Sequence, residues 1–94
     1  MHQLTRSEFK AGAISVDQAA VRLTVAGFQA WSYVLLQASA DNTDIVYVGH
    51  DAHVSASNGW PLDAGESVEI PIDDPSKIWI IGGADDQTVK WLFA

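Results

Sequence analysis

After a strand-like run ending at Gly49, the chain reads His50-Asp51-Ala52-His53, two imidazoles set around one carboxylate. Nitrogen and oxygen donors of this kind bind zinc, which needs four convergent ligands in a closed site. The spacing here is loose, and no third strong ligand stands nearby. Histidine and aspartate behind a glycine are also ordinary turn residues. A turn is therefore expected at His50 and His53, with no metal. Asp41-Asn42-Thr43-Asp44, Asp73-Asp74 and Asp85-Asp86 carry the oxygen ligands that calcium prefers. None matches the twelve-residue calcium loop, and Asx turns explain all three without an ion.

Covalent chemistry has no better footing. Serine, histidine and aspartate are present, but no G-x-S-x-G nucleophile elbow occurs. Gly82-Gly83 is followed by Asp85 and Asp86, whose charge would repel a phosphate. No convergent polar set points to catalysis, so neither an enzyme nor a cofactor is expected.

What remains is aromatic surface. Four tryptophans in 94 residues, Trp31, Trp60, Trp79 and Trp91, are many for one small core. Each buries about 150–250 Å² when enclosed, and tryptophan is enriched where interfaces are anchored. Trp60 is the first candidate for a partner contact, because it stands in what reads as a turn and is stiffened by Pro61. Trp79 is the second, with Ile81 beside it on the face opposite Ile78 and Ile80.

The elements that must carry these residues show period-two alternation, the mark of half-buried strands. Val21, Leu23 and Val25 alternate with Arg22 and Thr24; in residues 32–39, Val34, Leu36 and Ala38 share one face. Residues 44–49 alternate as well, and residues 66–72 set Val68, Ile70 and Ile72 against Ser67, Glu69 and Pro71. Pro71 cannot donate to a ladder, which places its strand at an edge or bulge. Residues 77–82 are apolar on both faces, and residues 87–93 alternate again. The Gly82–Asp86 stretch between them suits a hairpin turn. Six or seven short strands in this spacing give an all-β domain, a single small antiparallel β-sandwich with jelly-roll or Greek-key connections.

The first fifteen residues lack a clear apolar period and read as an extended N-terminal arm, leaving residues 16–94 as the sandwich domain. Within the net charge of −7, the first ten residues hold Arg6 and Lys10 against Glu8, a balance of +1, so the other 84 carry −8. Arg6, Phe9 and Lys10 are the arm's candidate contacts with a neighbour. The acidic balance argues against nucleic acid and against an anionic membrane surface. Without cysteine, neither disulfides nor thiolate-bound metal support so small a domain, and oligomerisation is a common substitute. No long apolar run or signal-peptide core is present, which suits a protein that stays or assembles in the cytoplasm.

The runs DNTDIVYVG (residues 41–49), SASNGWPLDAGES (residues 55–67) and IDDPSKIWI (residues 72–80) resemble small bacteriophage proteins of the head-decoration, or cement, type and related virion-associated proteins. In that family a strand ending Y-V-G leads into a long N-G turn. An L-x-x-G-E-S turn, an apolar strand, an S-K-I/V-Y/W strand and a short closing strand follow. The likeness covers residues 33–94; Ala64 stands where the pattern more often has Pro, and Pro75 where it has Leu. The resemblance implies a β-sandwich on the exterior of a virion, assembled in the host cytoplasm. It implies homo-oligomers, commonly trimers, that cap junctions between major capsid proteins and stabilise the head. A tail or fibre component, or a carbohydrate-binding sandwich that stacks sugars on exposed tryptophans, are the competing expectations.

Overall fold

The alternating runs become eight strands in a computed structural model, which describes residues 9–24 and 32–94. They are β1 (Lys10–Val16), β2 (Val21–Arg22), β3 (Val34–Ala38), β4 (Val46–Gly49), β5 (Trp60–Leu62), β6 (Ser67–Ile70), β7 (Trp79–Gly82) and β8 (Gln87–Phe93). One sheet, here sheet A, has the order β1-β8-β3-β6, and sheet B has the order β2-β7-β4-β5. Every neighbouring pair is antiparallel.

The topology has a simple logic. β1 pairs with β8, β2 with β7, β3 with β6 and β4 with β5. The chain is one long hairpin, folded back at the β4–β5 loop and rolled until β3 also meets β8 and β4 meets β7. That is a jelly roll, an all-β solution in which two packed sheets share one apolar interior. The strand faces follow the alternation: Val34, Leu36 and Ala38 are buried while Leu35 and Gln37 are exposed. Their partners on the neighbouring strands, Val89 and Phe93, meet Ile80, Val48 and Leu62 of the other sheet in one core cluster.

The hairpin expected across residues 82–86 does not form. β7 lies in sheet B between β2 and β4, and β8 lies in sheet A between β1 and β3, so both sides of both strands are already taken. The connection is instead an arch between sheets. The Gly82 amide donates to the Asp17 carbonyl at 2.8 Å, the Gly83 amide to the Ile45 carbonyl at 2.8 Å, and the Asp86 amide to the Asp17 carboxylate at 2.9 Å. Asp86 adopts φ 62°, a left-handed conformation that aspartate tolerates better than most residues.

Of the arm expected over residues 1–15, residues 1–8 lie outside the described residues, and the part from Lys10 on is a strand. Lys10–Val16 is a seven-residue strand in full register with β8. Its small residues hide the pattern, and one of them is required: a Cβ at Gly12 would lie 2.6 Å from the Trp91 ring, which rests directly on the strand. Arg6 lies outside the described residues, as do Trp31 and Val25. Pro71 does follow an edge strand, β6.

Candidate interaction site

The β4–β5 loop is where the histidines and Trp60 meet the fold. It is held together by its own polar groups. The Ser55 amide donates to the Asn58 side chain at 2.8 Å, the Asn58 side-chain amide donates back to the His53 carbonyl at 3.1 Å, and the Gly59 amide donates to the Ser55 carbonyl at 2.8 Å. Val54 is buried beneath the loop, against Gly49; a Cβ at Gly49 would come within 2.5 Å of a Val54 methyl. The loop is therefore a stiff lead into β5, and Trp60 is the first residue of that edge strand instead of a turn residue.

Strand alternation then separates the candidates onto two surfaces. Trp60 pairs with Val48, on the row that faces the interior, but β5 is an edge strand, and the indole is 64 % exposed. It flanks an open cleft of about 450 Å³ between the splayed edges of the two sheets. Val48, Val68, Ile70, Ile72 and Ile78 supply much of that cleft's wall, and Lys77 and His50 add polar groups. Among the described residues the cleft is lined mainly by apolar side chains, with Asn58 as a further polar group.

Pro61 faces the other way. It pairs with Tyr47, which pairs with Ile81, so Pro61, Tyr47 and Ile81 form one row across the outer face of sheet B. Trp79 lies on the same face between Arg22 and Gly49, with the Arg22 guanidinium 6.0 Å from its ring centroid. Ile78 and Ile80 on the opposite face are buried, while Trp79, Ile81 and Tyr47 are half-buried on the outer face of sheet B. The sequence placed Pro61, Trp79 and Ile81 as contacts, and the fold brings these three together. Tyr47 belongs with them; its alternation against Val46 and Val48 was the available signal.

Phe9 and Lys10 are not part of this surface. They stand at the start of β1, on the opposite edge of the sandwich from β5. Phe9 is 61 % exposed, whereas Lys10 is half-buried in register with Phe93.

The polar motifs are occupied with the backbone. Asp51 holds the His53 amide at 2.9 Å, and the two exposed imidazoles stand 3.4 and 3.8 Å from its carboxylate. Asn42 pairs with Thr88 through both its side-chain atoms, at 2.9 and 2.8 Å. Asp74 caps the one-turn 3₁₀ helix Pro75–Lys77, and the Ser76 hydroxyl and amide bonded to it hold its carboxyl below the usual carboxylate range. Among the described residues no group of three or more His, Asp or Glu side chains is placed to hold a metal ion. One residue went unsuspected: Gln87, 1 % exposed, whose side chain ties residues 43 and 44 to the arch. Its inward position on β8, in step with Val89, Trp91 and Phe93, was the signal available.

No helix among the described residues is long and apolar enough to cross a membrane. Comparison with protein-family models, curated proteins and solved structures found no match.

Proposed function

We propose that this protein is a structural component of a bacteriophage virion, a decoration protein that oligomerises and binds the assembled head. The observation that carries the reading is the aromatic surface around β5. Trp60 is two-thirds exposed on a stiff edge, and Pro61, Tyr47, Ile81 and Trp79 form an apolar face beside it. A monomer buries only part of these side chains, whereas a binding partner that covers them removes the rest from water and gains rigid anchors. The likeness of residues 33–94 to head-decoration proteins supplies the partner's class, the major capsid protein of the same virus.

The mechanism is mass action. A protein that binds the finished shell and not its free subunits pulls the equilibrium toward the shell. Several copies linked in an oligomer engage neighbouring capsid subunits together and gain avidity without one tight contact. The acidic loops on the remaining surface keep the unbound protein soluble.

Cosedimentation with intact heads of the encoding virus tests the proposal. The wild type pellets with heads, while Trp60→Ala loses about 2 kcal/mol or more of affinity if the indole is an anchor. The isolated variant keeps its melting temperature to within a few degrees, since most of the ring is already in water. Failure of the wild type to bind heads refutes the proposal. Micromolar heats against a glycan panel, with heads ignored, would instead assign the same aromatic face to sugar stacking.

A further inference from the structure

We propose that β1 is a self-pairing strand, joining two copies antiparallel across a two-fold axis into one continuous eight-stranded sheet. This inference stands independently of the virion reading. It starts from the four sheet edges, which are unequally guarded. β2 is two residues long, and β5 is three residues with Pro61 at its centre. β6 carries Glu69 and is followed by Pro71. Short edges, edge charge and proline are the devices that stop strands from pairing with strangers. β1 has only one of these, a charge at its first position: it is seven residues, KAGAISV, with neither charge nor proline over residues 11–16. Ala11, Gly12, Ala13 and Ser15 are exposed, and beyond the ladder to β8 no backbone hydrogen bond engages residues 11–16 among the described residues. Among the described residues the edge therefore presents unengaged amides and carbonyls, and its exposed side chains at Ala11, Gly12, Ala13 and Ser15 are small.

The occupant that fits is a second β1. An axis through Ala13 sets Ala11 against Ser15 and Gly12 against Ile14, all pairs that approach without a clash. Each Lys10 then lies level with the partner's Val16, one residue from the acidic Asp17. The two lysines stand at opposite ends of the ribbon, about 20 Å apart at roughly 3.4 Å per residue. Phe9, exposed in the single chain, falls alongside the partner's Ser15 and Asp17 and loses water there. A contact of this kind is isologous, each copy using the same strand. It builds a dimer, not the trimer implied by the family resemblance.

The test is the mass of the purified chain by light scattering and sedimentation, over roughly 1 µM to 1 mM, where small interfaces dissociate. The wild type passes from monomer to dimer as concentration rises. Ala13→Glu and Ala13→Lys each place like charges directly across the axis and raise the dissociation constant about tenfold or more. Ala13 is exposed and stands opposite Lys90 of β8, so Ala13→Glu keeps the wild-type melting temperature while Ala13→Lys lowers it by a few degrees, and both keep the wild-type circular dichroism. Mixing the two restores a heterodimer. Amide exchange gives a second readout, because alternate amides within residues 11–15 gain protection only at concentrations that populate the dimer. A wild type that stays monomeric or forms a trimer, variants that dimerise like the wild type, or a dimer without new protection in β1 would each overturn the pairing.

Discussion

Replacing Gln87 by leucine removes a polar clamp from the core while keeping nearly the same volume, so no cavity confuses the result. The Gln87 side-chain oxygen Oε1 accepts from the Thr43 amide at 2.9 Å and the Asp44 amide at 3.0 Å. Its side-chain amide donates to the Thr43 hydroxyl at 3.0 Å and the Asp85 carbonyl at 2.9 Å. Each such bond contributes about 1 kcal/mol net, so four set a ceiling near 4 kcal/mol. Thr43 and Asp44 are exposed, and their amides regain some hydration in the variant. The expected loss is therefore about 3 kcal/mol, or roughly 15 °C in Tm for a domain of this size. Urea unfolding followed by tryptophan fluorescence measures it, with a lower midpoint and an unchanged slope. Thr43→Val removes only the hydroxyl and costs about 1 kcal/mol, and in the double variant that cost shrinks because its partner is already gone. A Gln87→Leu protein within about 0.5 kcal/mol of the wild type would refute the idea that this clamp locks the arch to the sandwich.

Two further substitutions probe local devices. Gly49→Ala forces a Cβ to within 2.5 Å of the Val54 side chain, so it costs about 1–3 kcal/mol and loosens the loop that delivers Trp60, read as increased proteolysis between residues 50 and 59. Asp74→Asn keeps the Ser76 partner but removes the charge. The native carboxyl titrates below its unfolded value, so its contribution is full above about pH 4 and disappears as pH falls through the lower folded pKa. The Tm gap between wild type and variant should therefore close on acidification, and a gap constant down to about pH 2 would contradict the cap.

The sandwich was legible because its core strands alternate with few exceptions. Val34–Ala38 and Gln87–Phe93 could bury one face only as strands, and Pro71 marked an edge before any coordinates did. What failed to show was which strands neighbour which. Gly82 to Asp86 reads as a hairpin turn in isolation, yet the pairing is decided by long-range partners, with Asp17 and Ile45 capturing the turn's amides. β1 escaped notice for a different reason. Alanine, glycine and serine carry almost no strand signal, and the strand exists because β8 offers it a complete ladder. Trp60 was legible as exposed but not as a strand residue, since Asn58-Gly59 before it resembles a turn centre and the three-residue β5 is too short to alternate.

The placement of prolines leaves the two sides of the sandwich with edges of different kinds. Pro61 and the residue after β6, Pro71, guard β5 and β6, the two edges that border the cleft. No partner strand can extend either sheet there without meeting a residue that lacks an amide proton. Contact on that side must come through side chains, with Trp60 and the apolar cleft wall supplying area that is removed from water. The β1 side is the reverse: its side chains are too small to anchor much, but its backbone is continuous and open. Binding through Trp60 should accordingly carry the negative heat-capacity change of apolar burial, whereas pairing through β1 should depend on register and respond to one charge at Ala13. On the two proposals, one jelly roll would separate hydrophobic recognition from strand pairing by which of its four edges it leaves unguarded.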